Sequence, residues 1–198
     1  GITGECKQLS PDEIEKLEKH ELNKIDVLYW RNSKINFESL DSLVFSLEKK
    51  TNNEFLKRIN DCVDEQVLKY LIKNNGNKKT KYSKDYITTL WECCQIPDFS
   101  KKAYGNHIEV VKKVFEFLIS KTGKVTNDYM KTQLKYLDRY DGNIDTLTNR
   151  ISNVRTWSYV SNKKGWANNS DYWIERTKYI EDKLSDKLHE ELTKSFVD

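Results

Sequence analysis

Between Arg150 and Arg176 the chain interleaves cations with flat side chains: Arg150, Arg155, Trp157, Tyr159, Lys163, Lys164, Trp166, Trp173 and Arg176. Lysine and arginine neutralise phosphates and aromatic rings stack on bases, so this mixture suits a single strand of nucleic acid. The candidate contacts are Arg150, Arg155, Lys163, Lys164, Trp166 and Arg176. Lys163 and Lys164 stand beside Gly165 in an expected loop, which should leave them exposed. The competing role for Trp157, Trp166 and Trp173 is that of core anchors between packed helices, each contributing about 1.5–3 kcal/mol by burial, and it outweighs the stacking role for each ring.

Other chemistries find no pattern to carry them. A phosphate-cradling GxxxxGK[ST] loop is absent and no GxGxxG follows a strand, so no nucleotide-hydrolysing pocket is expected in this chain. His20, His107 and His189 are far apart and lack HExxH spacing, which predicts solvated or hydrogen-bonding surface roles and no metal site. Cys6, Cys62, Cys93 and Cys94 show no CxxC spacing and two are adjacent, which argues against both a disulfide framework and zinc and points to reduced thiols of a cytoplasmic protein. The pairs Glu181-Asp182 and Glu190-Glu191 occupy adjacent helical positions that do not face one another, so they form a solvated face and no acid/base pair. No catalytic residue is assigned.

The elements that must position these residues are mostly helical. Only two prolines and seven glycines punctuate 198 residues, too few turn formers for an all-β chain. Hydrophobic residues make up 37%, enough for a core, and charged residues 33%, which makes the surface dense in ions. Net charge is only +3, so distribution matters more than total: Lys101 to Tyr140 holds nine Lys/Arg against four acids and is the basic part. No apolar run approaches the roughly 20 residues that cross a bilayer, and no signal-peptide pattern opens the chain.

Spacing predicts about seven helices in an all-α bundle, with at most one short strand near residues 26–30. Ser10-Pro11-Asp12-Glu13 should cap a helix to about His20. Phe37, Leu40, Leu43, Val44 and Leu47 mark a second, and a third is expected from Glu54 to about Lys73. Lys78, Lys79 and Lys81 form a basic connector. Ser83 should cap a helix through Cys94, a further helix should run from Asn106 to Lys121, and Thr126 should cap the next, to about Arg139. After the Tyr140–Asn143 turn, Ile144, Leu147, Ile151 and Val154 mark another, interrupted from Asn162 to Gly165. The last should run from Ser170 towards Phe196.

Four ordered blocks carry a family resemblance. They are Trp91 to Phe99 (WECCQIPDF), Leu137 to Leu147 (LDRYDGNIDTL), Arg150 to Trp157 (RISNVRTW) and Ile180 to Glu190 (IEDKLSDKLHE). Together they resemble the C-terminal region of bacterial, alphaproteobacterial-type DExH-box ATP-dependent helicases, similar to the RNA helicase of the mitochondrial degradosome. Gly1-Ile2-Thr3-Gly4-Glu5 and Tyr29-Trp30-Arg31-Asn32 extend the likeness over nearly the whole chain. Asn143 departs from it, standing where relatives carry a second acid, and lysines and asparagines replace many of their arginines.

The resemblance implies that residues 1–35 are the tail of a motor domain and a connector, 36–77 a first helical subdomain, and 78–198 a C-terminal helical domain. It implies motor domains of the same polypeptide upstream of Gly1, which would bind ATP and magnesium, and a strand, RNA more than DNA, bordered by these helices. An interaction scaffold, in which the aromatic segment docks a nuclease or another partner, is the alternative from a different class. An independent small enzyme with an unrecognised site is a third.

Overall fold

Side chains that cap their own backbone start four of the helices among the described residues. Ser39 Oγ accepts the Ser42 amide at 3.0 Å, Ser83 Oγ that of Tyr86 at 3.2 Å, Thr126 Oγ1 that of Tyr129 at 3.2 Å, and Asn143 Oδ1 that of Thr146 at 2.9 Å. Each bond satisfies an amide that has no partner inside its own helix. The protein is described here by a computed structural model covering residues 11–19, 27–60, 62–75, 80–100 and 104–197. The expected Ser10 cap, Cys6, His20 and the connector lysines Lys78 and Lys79 lie outside the described residues.

Among the described residues, eight helices and two short strands follow in order. They are α1 (Pro11–Glu18), β1 (Leu28–Trp30), α2 (Leu40–Glu48), β2 (Leu56–Arg58), α3 (Val63–Asn74), α4 (Lys84–Cys94), α5 (Tyr104–Leu118), α6 (Asn127–Lys135), α7 (Ile144–Asn162) and α8 (Ser170–Val197). The mostly helical class is as expected. No helix among the described residues is long and apolar enough to cross a membrane.

The second strand corrects the start of the helix expected over Glu54–Lys73, which begins only at Val63. Residues 56–58 instead pair in parallel with β1, Leu28 opposite Leu56 and Trp30 opposite Arg58, with α2 as the crossover that parallel strands require. The pairing fixes Arg58, whose Nε donates to the Leu47 carbonyl at 3.3 Å and whose Nη2 donates to Glu65 Oε2 at 2.7 Å. Arg31, just past β1, donates to Asp64 at 3.0 Å, lies 3.5 Å from Glu65 Oε1, and stacks its guanidinium 5.2 Å from the Trp91 ring. Glu65 is buried, and a buried carboxylate persists only with partners such as these. This ionic knot ties the ribbon to α3 and α4.

One continuous apolar cluster runs from Leu43 on α2 to Leu184 on α8. It takes Val67, Leu68 and Leu71 from α3, Ile87, Leu90 and Trp91 from α4, and Val111 and Val114 from α5. Trp157, Trp166 and Trp173 all belong to it, so burial holds for each ring. His107 is buried too, which corrects the surface role expected of it: the turn of α5 that carries Ile108 and Val111 also carries the imidazole inward.

Helices α7 and α8 form the most extensive helix pair. A short turn joins them, and that turn is pinned from outside. Val125 donates to the Trp166 carbonyl at 2.7 Å and accepts from the Asn168 amide at 3.0 Å, an isolated bridge that holds residues 166–168 beside the start of α6. Asn169, with φ of +53°, turns the chain into α8.

Candidate nucleic-acid interface

The α7–α8 hairpin carries all six candidate residues, but it gives them different surroundings. At the turn, Lys163 leaves the end of α7 and lays its ammonium 5.7 Å from the Tyr159 ring and 5.6 Å from the Trp166 ring. The two rings meet edge to face, with centroids 6.5 Å apart. Trp166 is only 6% exposed, so it serves as a floor under the cation more than as an open stacking surface. Lys164 next to it is exposed, and Gly165 takes a φ of +78°, a left-handed geometry that a side chain would strain. The sequence expectation of an exposed lysine pair is met by Lys164, while Lys163 is half-buried against its rings.

The three arginines already have acceptors within the protein. Arg150 donates to the carbonyls of Arg139 and Asp141, and its side chain is 13% exposed, so it clasps the turn before α7. Arg155 Nε reaches Glu181 Oε1 at 2.8 Å across the hairpin. Arg176 pairs with Asp138, which also accepts the Tyr140 hydroxyl.

A second cationic-aromatic cluster lies along α8 that sequence reasoning missed. Arg176 stacks 5.4 Å from the Tyr179 ring, and Lys183 sits 5.2 Å from Tyr179 and 4.1 Å from Tyr140. Arg176, Tyr179 and Lys183 follow one another at i, i+3 and i+7, so their shared helix face was a readable signal. Tyr140 was not readable, because it reaches them from the loop after α6. Burial, and then its hydrogen bond to Asp138, push the Tyr140 hydroxyl well above the ordinary tyrosine range, which keeps it a neutral donor.

Nucleophilic chemistry has little support. Burial pushes the Cys94 thiol up to about 12 and raises Cys93 further, so neither is a thiolate near neutrality. Burial lowers the His107 pKa below its ordinary value against the opposing pull of Asp98 and a hydrogen bond to the Ile96 backbone. Among the described residues no cluster of three or more His, Cys, Asp or Glu converges to hold a metal. The arrangement can therefore present positive charge backed by rings, which is a binding chemistry.

No family model, no curated protein and no solved structure matches the chain.

Proposed function

We propose that this chain is the helical accessory domain of an ATP-dependent helicase, in which it holds single-stranded nucleic acid, RNA in preference to DNA, against motor domains of the same polypeptide. Lys163, seated on two rings beside the exposed Lys164 at the hairpin turn, is the observation that carries it. A cation held over rings is pre-positioned, so less rotamer freedom is lost when it meets a phosphate. The four sequence blocks that resemble degradosome-type helicases support the motor context. ATP and magnesium would belong to the motor, since this chain has no phosphate-cradling loop to hold them.

In this reading the domain supplies a wall. The motor closes on ATP and draws one strand forward, while the hairpin neutralises phosphates and keeps the strand from leaving. Intrinsic affinity should be weak and salt-sensitive, because few phosphates are contacted. Titrating a fluorescent single-stranded oligouridylate with the chain at 50 mM and at 200 mM salt tests this. Binding that weakens at the higher salt is expected, and no binding at either salt removes the strand-holding role.

A protein-docking reading is favoured by a different region. A parallel ribbon of two strands is not self-sufficient in water, and Tyr29 on β1, Phe45 on α2 and Phe55 beside β2 are 71%, 77% and 71% exposed. Exposed apolar side chains of this size suit a contact with the motor body or with a nuclease partner. A partner that co-purifies with the full-length protein after nuclease treatment would favour docking.

A further inference from the structure

A cleft of about 560 Å³ lies between α6 and the first turns of α8. Its floor is apolar, made by Leu134, Ile180 and the Trp173 ring. Lys131 and Lys135, one turn apart on α6, form one exposed wall with the carboxylate of Asp128 at its start, and neither lysine forms an ion pair with another described residue. Tyr172, 58% exposed, stands at the mouth and meets Trp173 edge to face with ring centroids 4.8 Å apart. Asn127 accepts the Trp173 indole N–H at 2.9 Å through its side-chain oxygen, which leaves its amide N–H groups as donors for an acceptor in the cleft. Arg176, paired with Asp138, closes the far end.

We propose that this cleft is a nucleotide subsite, which takes one base of a single strand against Tyr172 and the adjoining phosphates on Lys131 and Lys135. The inference rests on the strand-holding reading above and adds a place where a base is received. The volume lies in the ordinary range for small-ligand sites. A flat ring, two cations with no ion pair among the described residues and an amide donor match the three parts of a nucleotide that a protein can recognise: a π face, a phosphate and base-edge acceptors. Position favours a strand over a free anion. The bridge from Val125 holds residues 166–168 beside the start of α6, and Asn169, next along the chain from the turn that carries Lys163 and Lys164, lines the cleft.

The test uses the full chain, an eight-nucleotide oligouridylate and an abasic phosphodiester of the same length. Tyr172→Ala should weaken oligouridylate binding by about fivefold to a hundredfold, the range for removing one stacking ring, and leave the abasic oligomer's affinity unchanged. Tyr172→Phe should restore binding, and Lys131→Glu with Lys135→Glu should weaken both oligomers. An oligouridylate affinity within a factor of two of wild type in Tyr172→Ala, alongside a loss in Lys163→Glu with Lys164→Glu, overturns the subsite and spares the strand-holding role. Equal losses for both oligomers in Tyr172→Ala also overturn it, because the ring would then support structure only. Failure of the wild-type chain to bind oligouridylate at low salt sinks both readings.

Discussion

Reversing the two lysines at the hairpin turn, Lys163→Glu with Lys164→Glu, and comparing the pair with Lys164→Glu alone separates phosphate contact from folding, because the two side chains have different surroundings. Each phosphate contact on a single strand contributes about 0.7 to the slope of log affinity against log salt. Losing two contacts should flatten that slope by about 1.4, and over a fourfold rise from 50 to 200 mM salt this amounts to roughly sevenfold. Wild-type affinity should therefore fall about sevenfold further than the variant's over that interval, read by anisotropy with a labelled oligouridylate. Stability responds as well, since Lys163 rests on Tyr159 and Trp166. Two partly exposed cation–π contacts are together worth about 1–2 kcal/mol, which for a chain of this length lowers Tm by about 2–8 °C. Lys164→Glu alone touches no ring and should stay within about 0.5 kcal/mol of wild type. Parallel salt plots for wild type and double variant would refute the phosphate assignment. A Tm loss in Lys164→Glu as large as in the pair would refute the division of roles.

Two other expectations concern the scaffold. Trp157, 3% exposed and edge to face with Tyr129 at 5.7 Å, should cost about 3–5 kcal/mol on truncation to alanine, measured by denaturant unfolding; a loss below 1 kcal/mol would mean that the site collapses around the gap. His107 sets a pH dependence: its folded pKa lies below the ordinary 6.5, so between those two values the unfolded chain binds more protons than the folded one. Its contribution to stability is fully present above about pH 6.5 and is lost as pH falls through that window, and the loss should be absent in His107→Gln; a Tm against pH curve shared by both proteins would contradict it.

The Arg31, Arg58, Asp64 and Glu65 knot gives the ribbon a role in the same framework. It joins the β1–β2 pair to α3 and, through the Trp91 ring, to α4, so the exposed Tyr29 and Phe55 are carried on a braced element. A braced apolar face suits docking to a larger body.

What the sequence determined by itself was local. Ser83 and Thr126 announce their helices because a cap and the amide it satisfies lie within three residues of each other, and Gly165 marks its turn because only its own φ is at issue. The mostly helical class follows from apolar spacing and from the scarcity of turn formers in the same way. Tertiary structure alone decided the rest. β2 exists because Leu56 finds Leu28 far back in the chain, a pairing with no trace in Leu56-Lys57-Arg58 itself. Arg155 and Arg176, indistinguishable from phosphate ligands in sequence, meet Glu181 and Asp138 across the helices, and the cleft of Lys131, Lys135 and Tyr172 forms where α6 lies beside α8. Charge and spacing are properties of a segment, whereas the partner that neutralises a charge or closes a pocket is a property of packing.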